Sequence, residues 1–333
     1  MRQPLPRMML QLRDGWLRLD ACAAACVLVS GLAAAALAQQ ASTRPGHYAP
    51  GVVTTIAPGL EPEETVSTHD LVEIRANPDV RWQPEFSSAS RTLYGMAAGA
   101  KFRRDVWCLE FSFKPLRMIA VDVPLPNRKL QRRLIWYLVY SVRNTGETLK
   151  PAEEEGGVVA AVPGEGGAVR FVPSFVLESQ DRSAAGDRLQ KSYLDRVIPT
   201  AQAAIEARES RGQKLLNSAE MAEQVLRVSD GGAEQRLWGI AMWEDVDPRI
   251  DFFSVYVGGL TNAYRWVDPP RAYRAGDPPG AGRQFARKML QLNFWRPGDE
   301  YFPSEQELRY GVPRGMADLY GVGDGVAYRW VYR

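Results

Sequence analysis

The sequence predicts a mainly β protein, an antiparallel β-sandwich that carries a small helical insertion. Three observations lead there. From Leu71 onward apolar residues recur with a period of two, the spacing that sends alternate side chains to opposite faces of a strand. Gly, Asn, Asp and Pro punctuate these runs with turn chemistry. No run shows the strand–helix–strand rhythm that a parallel sheet requires.

The first clear strand spans Val106–Phe113. Trp107, Leu109, Phe111 and Phe113 share one face, and Cys108, Glu110 and Ser112 share the other, the pattern of a sheet packed on one side. Leu134–Val142 (LIWYLVYSV) is apolar on both faces, so it reads as a central strand covered on both sides. Arg143-Asn144-Thr145-Gly146 then supplies a turn. Val169–Leu177 alternates again, but Pro173 has no N–H to give a ladder, which places this strand at an edge or a bend.

Later strands are Leu237–Trp243, Ile250–Gly258, Met289–Trp295 and Val326–Tyr332. In the third of these Leu290, Leu292 and Phe294 face in, while Gln291 and Asn293 face out. In the last, Val326, Tyr328, Trp330 and Tyr332 form one face with Arg329 and Arg333 opposite. Weaker runs at Leu71–Arg75 and Met118–Val123 bring the expected total to nine strands.

Three inserts interrupt them. Residues 149–168 are acidic, Gly-rich and low in complexity, and read as a mobile loop. Residues 181–235 are the helical insertion, where Asn217 and Glu220 have capping-box spacing ahead of Met221, Ala222, Val225 and Leu226. Residues 268–287 read as a Pro/Gly/Arg loop.

The N-terminus reads as a secretory signal over residues 1–38. Arg2, Arg7, Arg13 and Arg18 precede an apolar run from Ala21 to Ala38 that ends in Ala36-Leu37-Ala38. A retained membrane anchor is the rival reading, since the run has 18 residues, but half of them are weakly apolar alanine. A lipoprotein reading through Cys26 fails because almost no apolar stretch precedes that cysteine. Residues 39–69, rich in Ala, Pro, Gly, Thr and Glu, read as a flexible leader, and 70–333 as the sandwich domain.

Of the 41 basic and 39 acidic residues, the signal holds four arginines and two aspartates, which leaves 37 of each sign. A net charge near zero gives no long-range attraction to nucleic acid or to anionic lipid. After signal cleavage neither a nucleic-acid partner nor a membrane span is expected. Cys22 and Cys26 leave with the signal, so Cys108 has no disulfide partner within the chain and the core must hold the fold.

The candidates for chemistry are few. His47 and His69 lie in or beside the leader, where no third group would hold a histidine base in place. Cys108, mid-strand, reads as a small buried apolar group. Glu244, Asp245, Asp247 and Asp251 sit in one strand connection. Asp245, Asp247 and Asp251 have oxygens for Ca²⁺, yet the turn glycine and the bidentate glutamate of a calcium loop are absent. The same acids offer a carboxylate pair for glycoside cleavage. Among eight tryptophans outside the signal, Trp82, Trp266 and Trp295 lie at loop junctions and are the candidates for stacking sugars. The Gly pairs at 156–157, 166–167 and 231–232 lie in loops and open no helix, so they make no phosphate cradle. No catalytic, cofactor-binding or metal residue is therefore assigned, and no cofactor is expected.

The blocks WCLEFSFKPLRMIAVDVP (107–124), LIWYLVYSVRNTG (134–146), FFSVYVGGLTNAYRW (252–266) and LQLNFWRPGDE (290–300) together resemble uncharacterised secreted proteins of planctomycete-type bacteria. That resemblance implies an exported protein and carries over no catalytic residue. More loosely, the strand ending V-x-N-T-G looks like the strand-turn of Ig-like adhesion and envelope sandwiches, which implies an Ig-like layout and no function. The expected role is a non-catalytic structural or interaction protein of the cell envelope, in the periplasm, at the surface or outside, with an envelope protein or glycan as partner. A carbohydrate-binding or polysaccharide-associated module and a carboxylate-dependent hydrolase are the alternatives.

Overall fold

A computed structural model describes residues 53–68, 101–154, 159–189, 191–211, 213–229, 235–267, 282–297 and 308–333. The expected signal, His47, His69, Trp82 and the weak run Leu71–Arg75 lie outside these residues. The first strands are β1 (Thr54–Ile56), β2 (Val66–Thr68), β3 (Lys101–Arg103), β4 (Val106–Trp107), β5 (Glu110–Phe113) and β6 (Arg117–Pro124). The long β7 (Leu130–Arg143) follows, then β8 (Thr148–Glu153), β9 (Val159–Pro163), β10 (Ser174–Ser179) and β11 (Ser192–Leu194). Helices α1 (Pro199–Glu209) and α2 (Ser218–Glu223) precede β12 (Leu237–Trp243), β13 (Phe252–Gly258), β14 (Tyr264–Val267) and β15 (Gln284–Trp295). The chain closes with β16 (Arg309–Tyr310), α3 (Ala317–Tyr320) and β17 (Tyr328–Tyr332).

Two antiparallel sheets face each other. In one, β1 pairs with β5, both β5 and β6 pair with β7, and β7 pairs with β12. The other runs β11-β10-β13-β15, with β14, β16 and β17 also laid on β15. Between them lies the core. Phe113, Trp136 and Tyr140 of the first sheet meet Phe294, Phe253 and Phe175 of the second at ring distances of 6.1, 5.3 and 4.8 Å. Each such side chain, fully buried, contributes about 1.5–3 kcal/mol.

The first sheet is covered on its outer face too. Ile135, Tyr137 and Val139 of β7 and Ile240 and Met242 of β12 pack there with Ala201 and Ile205 of α1. That second layer is why Leu134–Val142 is apolar on both faces. Glu209, the last residue of α1, anchors the helix by accepting from Tyr137 Oη at 2.9 Å and Arg117 Nη1 at 2.7 Å. The capping box of α2 forms as expected, with Asn217 Oδ1 accepting from the N–H groups of Ala219 and Glu220 and Glu220 accepting from Asn217 N.

Several expectations need correction. Residues 53–68, expected within the flexible leader, form a strap: β1 joins the first sheet, a short 3₁₀ turn at Pro62–Thr65 carries buried Glu64, and β2 pairs with β3. Besides Ile56, which enters the core, the strap holds through backbone pairing and a buried ion pair, neither of which leaves an apolar period. The insert 149–168, expected as a loop, contains the β8–β9 hairpin, which pairs Leu149–Glu153 with Val159–Pro163. The loop expected at 268–287 ends earlier, because Gln284–Arg287 pair with β14. Val106–Phe113 breaks at Cys108 and Leu109, where Leu109 N donates to Leu260 O instead of a neighbouring strand. Pro173 lies just before β10, which pairs on both sides and is not an edge.

Gln291 and Asn293 do turn away from the core, as their alternation demands, but they are fully buried. The C-terminal segment covers them. Gln291 Nε2 donates to Asn293 Oδ1 at 2.9 Å and to Tyr320 O at 3.2 Å, while Arg329 Nε donates to Gln291 Oε1 at 2.8 Å. Among the described residues no helix is long and apolar enough to cross a membrane.

Candidate functional site

The acids between β12 and β13 are brought together with cations, not with one another. Glu244 pairs with Arg133 at 2.9 Å and Arg196 at 2.5 Å, and Asp245 with Arg133 at 3.2 Å. Asp247 pairs with Lys191 and, at 3.0 Å, with Arg249, and hydrogen bonds from those two side chains hold its carboxyl well below the usual carboxylate range. Asp251 lies 3.4 Å from Arg296. Glu244 and Asp245 thus share Arg133, while Asp247 and Asp251 turn to other cations. Among the described residues no group of three or more His, Cys, Asp or Glu side chains converges as metal ligands do.

Cys108 is buried, and burial pushes its thiol up to about 12. A thiol that stays protonated at neutral pH is a poor nucleophile. Trp266, on β14, and Trp295, on β15, lie at opposite ends of the β15 ladder: Trp266 pairs with Phe285, ten residues before Trp295. At a strand rise of ~3.3 Å per residue they stand roughly 33 Å apart. Both are half-buried, with Arg283 3.6 Å from the ring centre of Trp266 and Arg309 5.1 Å from that of Trp295. These two tryptophans do not line one groove.

Two clefts do form. The first, of about 240 Å³, lies between the strap and β14 and is lined by Glu63, Glu64, Val66, Arg104, Tyr264, Arg265 and Trp266. Arg104 stacks 3.8 Å from the Tyr264 ring centre, and its Nε and Nη2 donate to the carbonyls of Glu64 and Tyr264 at 2.9 Å each. Beneath it is a buried ion cluster. Lys288 Nζ donates to Gly59 O at 2.6 Å, to Glu61 Oε1 at 3.3 Å and to the Glu64 carboxylate, which also accepts from the Tyr332 hydroxyl. The Lys288 and Glu64 side chains are each 1% exposed. Burial, with the Glu64 carboxylate next, pushes the Tyr332 hydroxyl far up, so it stays a donor.

The second cleft, of about 350 Å³, is lined by Asp181, Arg182, Leu189, Arg249, Asp251, Phe252 and Leu319. It brings two carboxylates, Asp181 and Asp251, to one wall. Burial raises the Asp181 carboxyl above its ordinary value. Asp181 accepts from Phe252 N at 2.9 Å, Asp251 N at 3.4 Å and Ser179 Oγ at 3.1 Å. Both its oxygens are thereby committed to fixing the start of β13.

Neither cleft is visible in the sequence, but one signal for the first was present. Lys288 shares strand parity with Leu290, Leu292 and Phe294, so the alternation points its amine toward the core, where a partner is obligatory. Asp181 carries no comparable mark. No family model matches the chain, and no curated protein or solved structure matches it.

Proposed function

We propose that the chain is an exported, non-catalytic structural or interaction protein of the cell envelope. The observation that carries this reading is where the ionisable side chains are spent. Glu244, Asp245, Asp247 and Asp251 are engaged by arginine or lysine, and the Lys288–Glu64 pair ties the strap to the second sheet. Among the described residues these ionisable groups hold the fold. Export rests on the signal pattern of residues 1–38.

Two measurements test it. Mass spectrometry of fractionated cells finds a mature chain beginning at Gln39; an intact chain including Met1 in the membrane fraction replaces export with anchoring. Residues 39–333, purified, show no turnover on glycoside, ester and peptide panels, and millimolar Ca²⁺ leaves the melting temperature unchanged. Turnover lost in Asp247→Ala, or a Ca²⁺-dependent rise lost in the same variant, overturns the reading.

The second cleft favours one competing reading, a carboxylate-dependent hydrolase, because it places Asp181 beside Asp251. Glycosidase activity abolished in Asp181→Asn, with the melting temperature kept, would establish it. A glycan partner draws on Trp266 in the first cleft, without Trp295 as a second platform.

A further inference from the structure

β7 outruns its sheet. Strand β12 pairs with Trp136–Val142 and β5 with Tyr140–Arg143, so Leu130–Ile135 are paired by β6 alone and form the distal part of a hairpin arm. One face of this arm is anchored, since Ile119, Val121 and Val123 pack with the α1 layer. The other face continues the inner, core-facing side of β7 past the reach of the second sheet. There Ala120 opposes Leu134 and Pro124 opposes Leu130, with Leu134 41% and Leu130 69% exposed. Among these lies the Asp122–Arg132 pair at 3.7 Å, itself open to water.

The tip is basic and built with care. Leu125 N donates to Lys129 O at 2.8 Å and Arg128 N to Leu125 O at 2.9 Å, which puts Arg128 at φ 63, a left-handed conformation that favours glycine. A cation is kept where glycine would be easier. Arg128, Lys129 and Arg132 therefore project beside two exposed leucines.

The complementary surface is on the same chain. At the other end of β7, roughly 40 Å away at ~3.3 Å per residue, the chain turns into the β8–β9 hairpin. Glu154 and Glu165 are exposed there with Val162 on β9, the outer strand of that sheet among the described residues, and Glu153, also exposed, pairs with Arg103 at 3.1 Å. A basic, apolar arm at one end and a hairpin carrying exposed glutamates at the other cannot meet within one molecule. They fit between two.

We propose that the protein associates head to tail with a second copy of itself, the β6–β7 arm of one copy seating against the β8–β9 hairpin of the next. Such an interface uses two different patches, so it propagates into a ring or an open filament instead of stopping at a dimer. The proposal extends the interaction-protein reading by naming a partner. That reading stands or falls separately, on compartment and turnover.

Sedimentation velocity on residues 39–333 tests it, at protein concentrations from about 1 to 200 μM in low and high salt, because exposed charge pairs are screened by salt. The expected result is a mass that rises with concentration beyond a dimer in low salt and returns to monomer in high salt. Arg128→Glu/Lys129→Glu/Arg132→Glu and Glu153→Lys/Glu154→Lys/Glu165→Lys each weaken association at least tenfold alone, and mixing the two charge-reversed proteins restores it. Leu130→Ser, a milder change at an exposed position, weakens association with the melting temperature kept and covers the case in which a triple variant misfolds. A parent that stays monomeric throughout, or a mixture that fails to re-associate while both variants are folded, overturns the proposal. An arm that binds anionic phospholipid vesicles while the parent stays monomeric overturns it too and assigns the arm to a membrane surface.

Discussion

Gly239 and Tyr140 face each other across the β7–β12 ladder, and the tyrosine ring fills the space that a side chain at Gly239 would need. A Cβ there would lie 2.6 Å from Tyr140 Cζ and 2.6 Å from its hydroxyl. The ring has no room to withdraw, because Phe175 lies 4.8 Å from it, centre to centre, and Phe111 5.6 Å. Gly239→Ala is expected to cost about 1–3 kcal/mol through overpacking. The Tyr140 hydroxyl is buried with no hydrogen-bond partner. Tyr140→Phe is thus expected to equal the parent or exceed it by up to about 1 kcal/mol. Urea unfolding of the three proteins checks both, and a Gly239→Ala midpoint equal to the parent's would mean the core yields there.

Trp136 packs edge-on against Phe253 between the sheets and is 1% exposed. Trp136→Ala should cost about 3–5 kcal/mol, the range for emptying a buried aromatic site. Trp266, half-buried at the end of β14, should cost well under that when replaced by Ala. Indistinguishable urea midpoints for the two variants would contradict this ordering.

Breaking the Lys288–Glu64 pair from one side leaves an uncompensated buried charge. Lys288→Met is expected to cost about 3–5 kcal/mol. Adding Glu64→Leu to it should recover much of that loss, because the stranded carboxylate goes as well. Thermal melts of the single and double variants decide the matter: a double variant less stable than Lys288→Met would mean that Glu64 has other essential contacts.

Asp195 links the helical insertion to β12, accepting from Met242 N at 2.7 Å and from the Ser218 hydroxyl. Burial raises its carboxyl to about 6, against an ordinary 3.8. The folded state therefore holds this proton to a higher pH than the unfolded chain does. Its stabilising contribution is full below pH ~4 and is lost as pH rises to ~6, by about 2–3 kcal/mol. Asp195→Asn keeps a carbonyl for Met242 N and removes the titration. The difference in stability between variant and parent should grow in the variant's favour from pH 4 to pH 7; a pH-independent difference would show that Asp195 titrates normally.

The parts of this fold that were legible in the sequence are those whose signal is local. Leu237–Trp243 and Leu134–Val142 could be read from runs of adjacent residues, and the Asn217–Glu220 cap from one spacing. What was hidden depends on residues far apart in the chain. Gln291 and Asn293 alternate like surface residues, and only the covering segment around Tyr320 buries them. The strap has no apolar period because Glu64 is held by Lys288 and Tyr332. The second cleft joins the turn at Asp181 to a loop some seventy residues later, and neither stretch is unusual alone.

Glu64 and Tyr332 are separated by 268 residues, and Glu64 and Lys288 by 224. Closing such wide loops must be paid in chain entropy before any contact repays it, and topologies dominated by distant pairings fold slowly. A chain that emerges from its N-terminus first therefore cannot lock its strap until Lys288 and Tyr332 have emerged. Until then Glu64 has neither its lysine nor its tyrosine, and β15 lacks the partner strand β17.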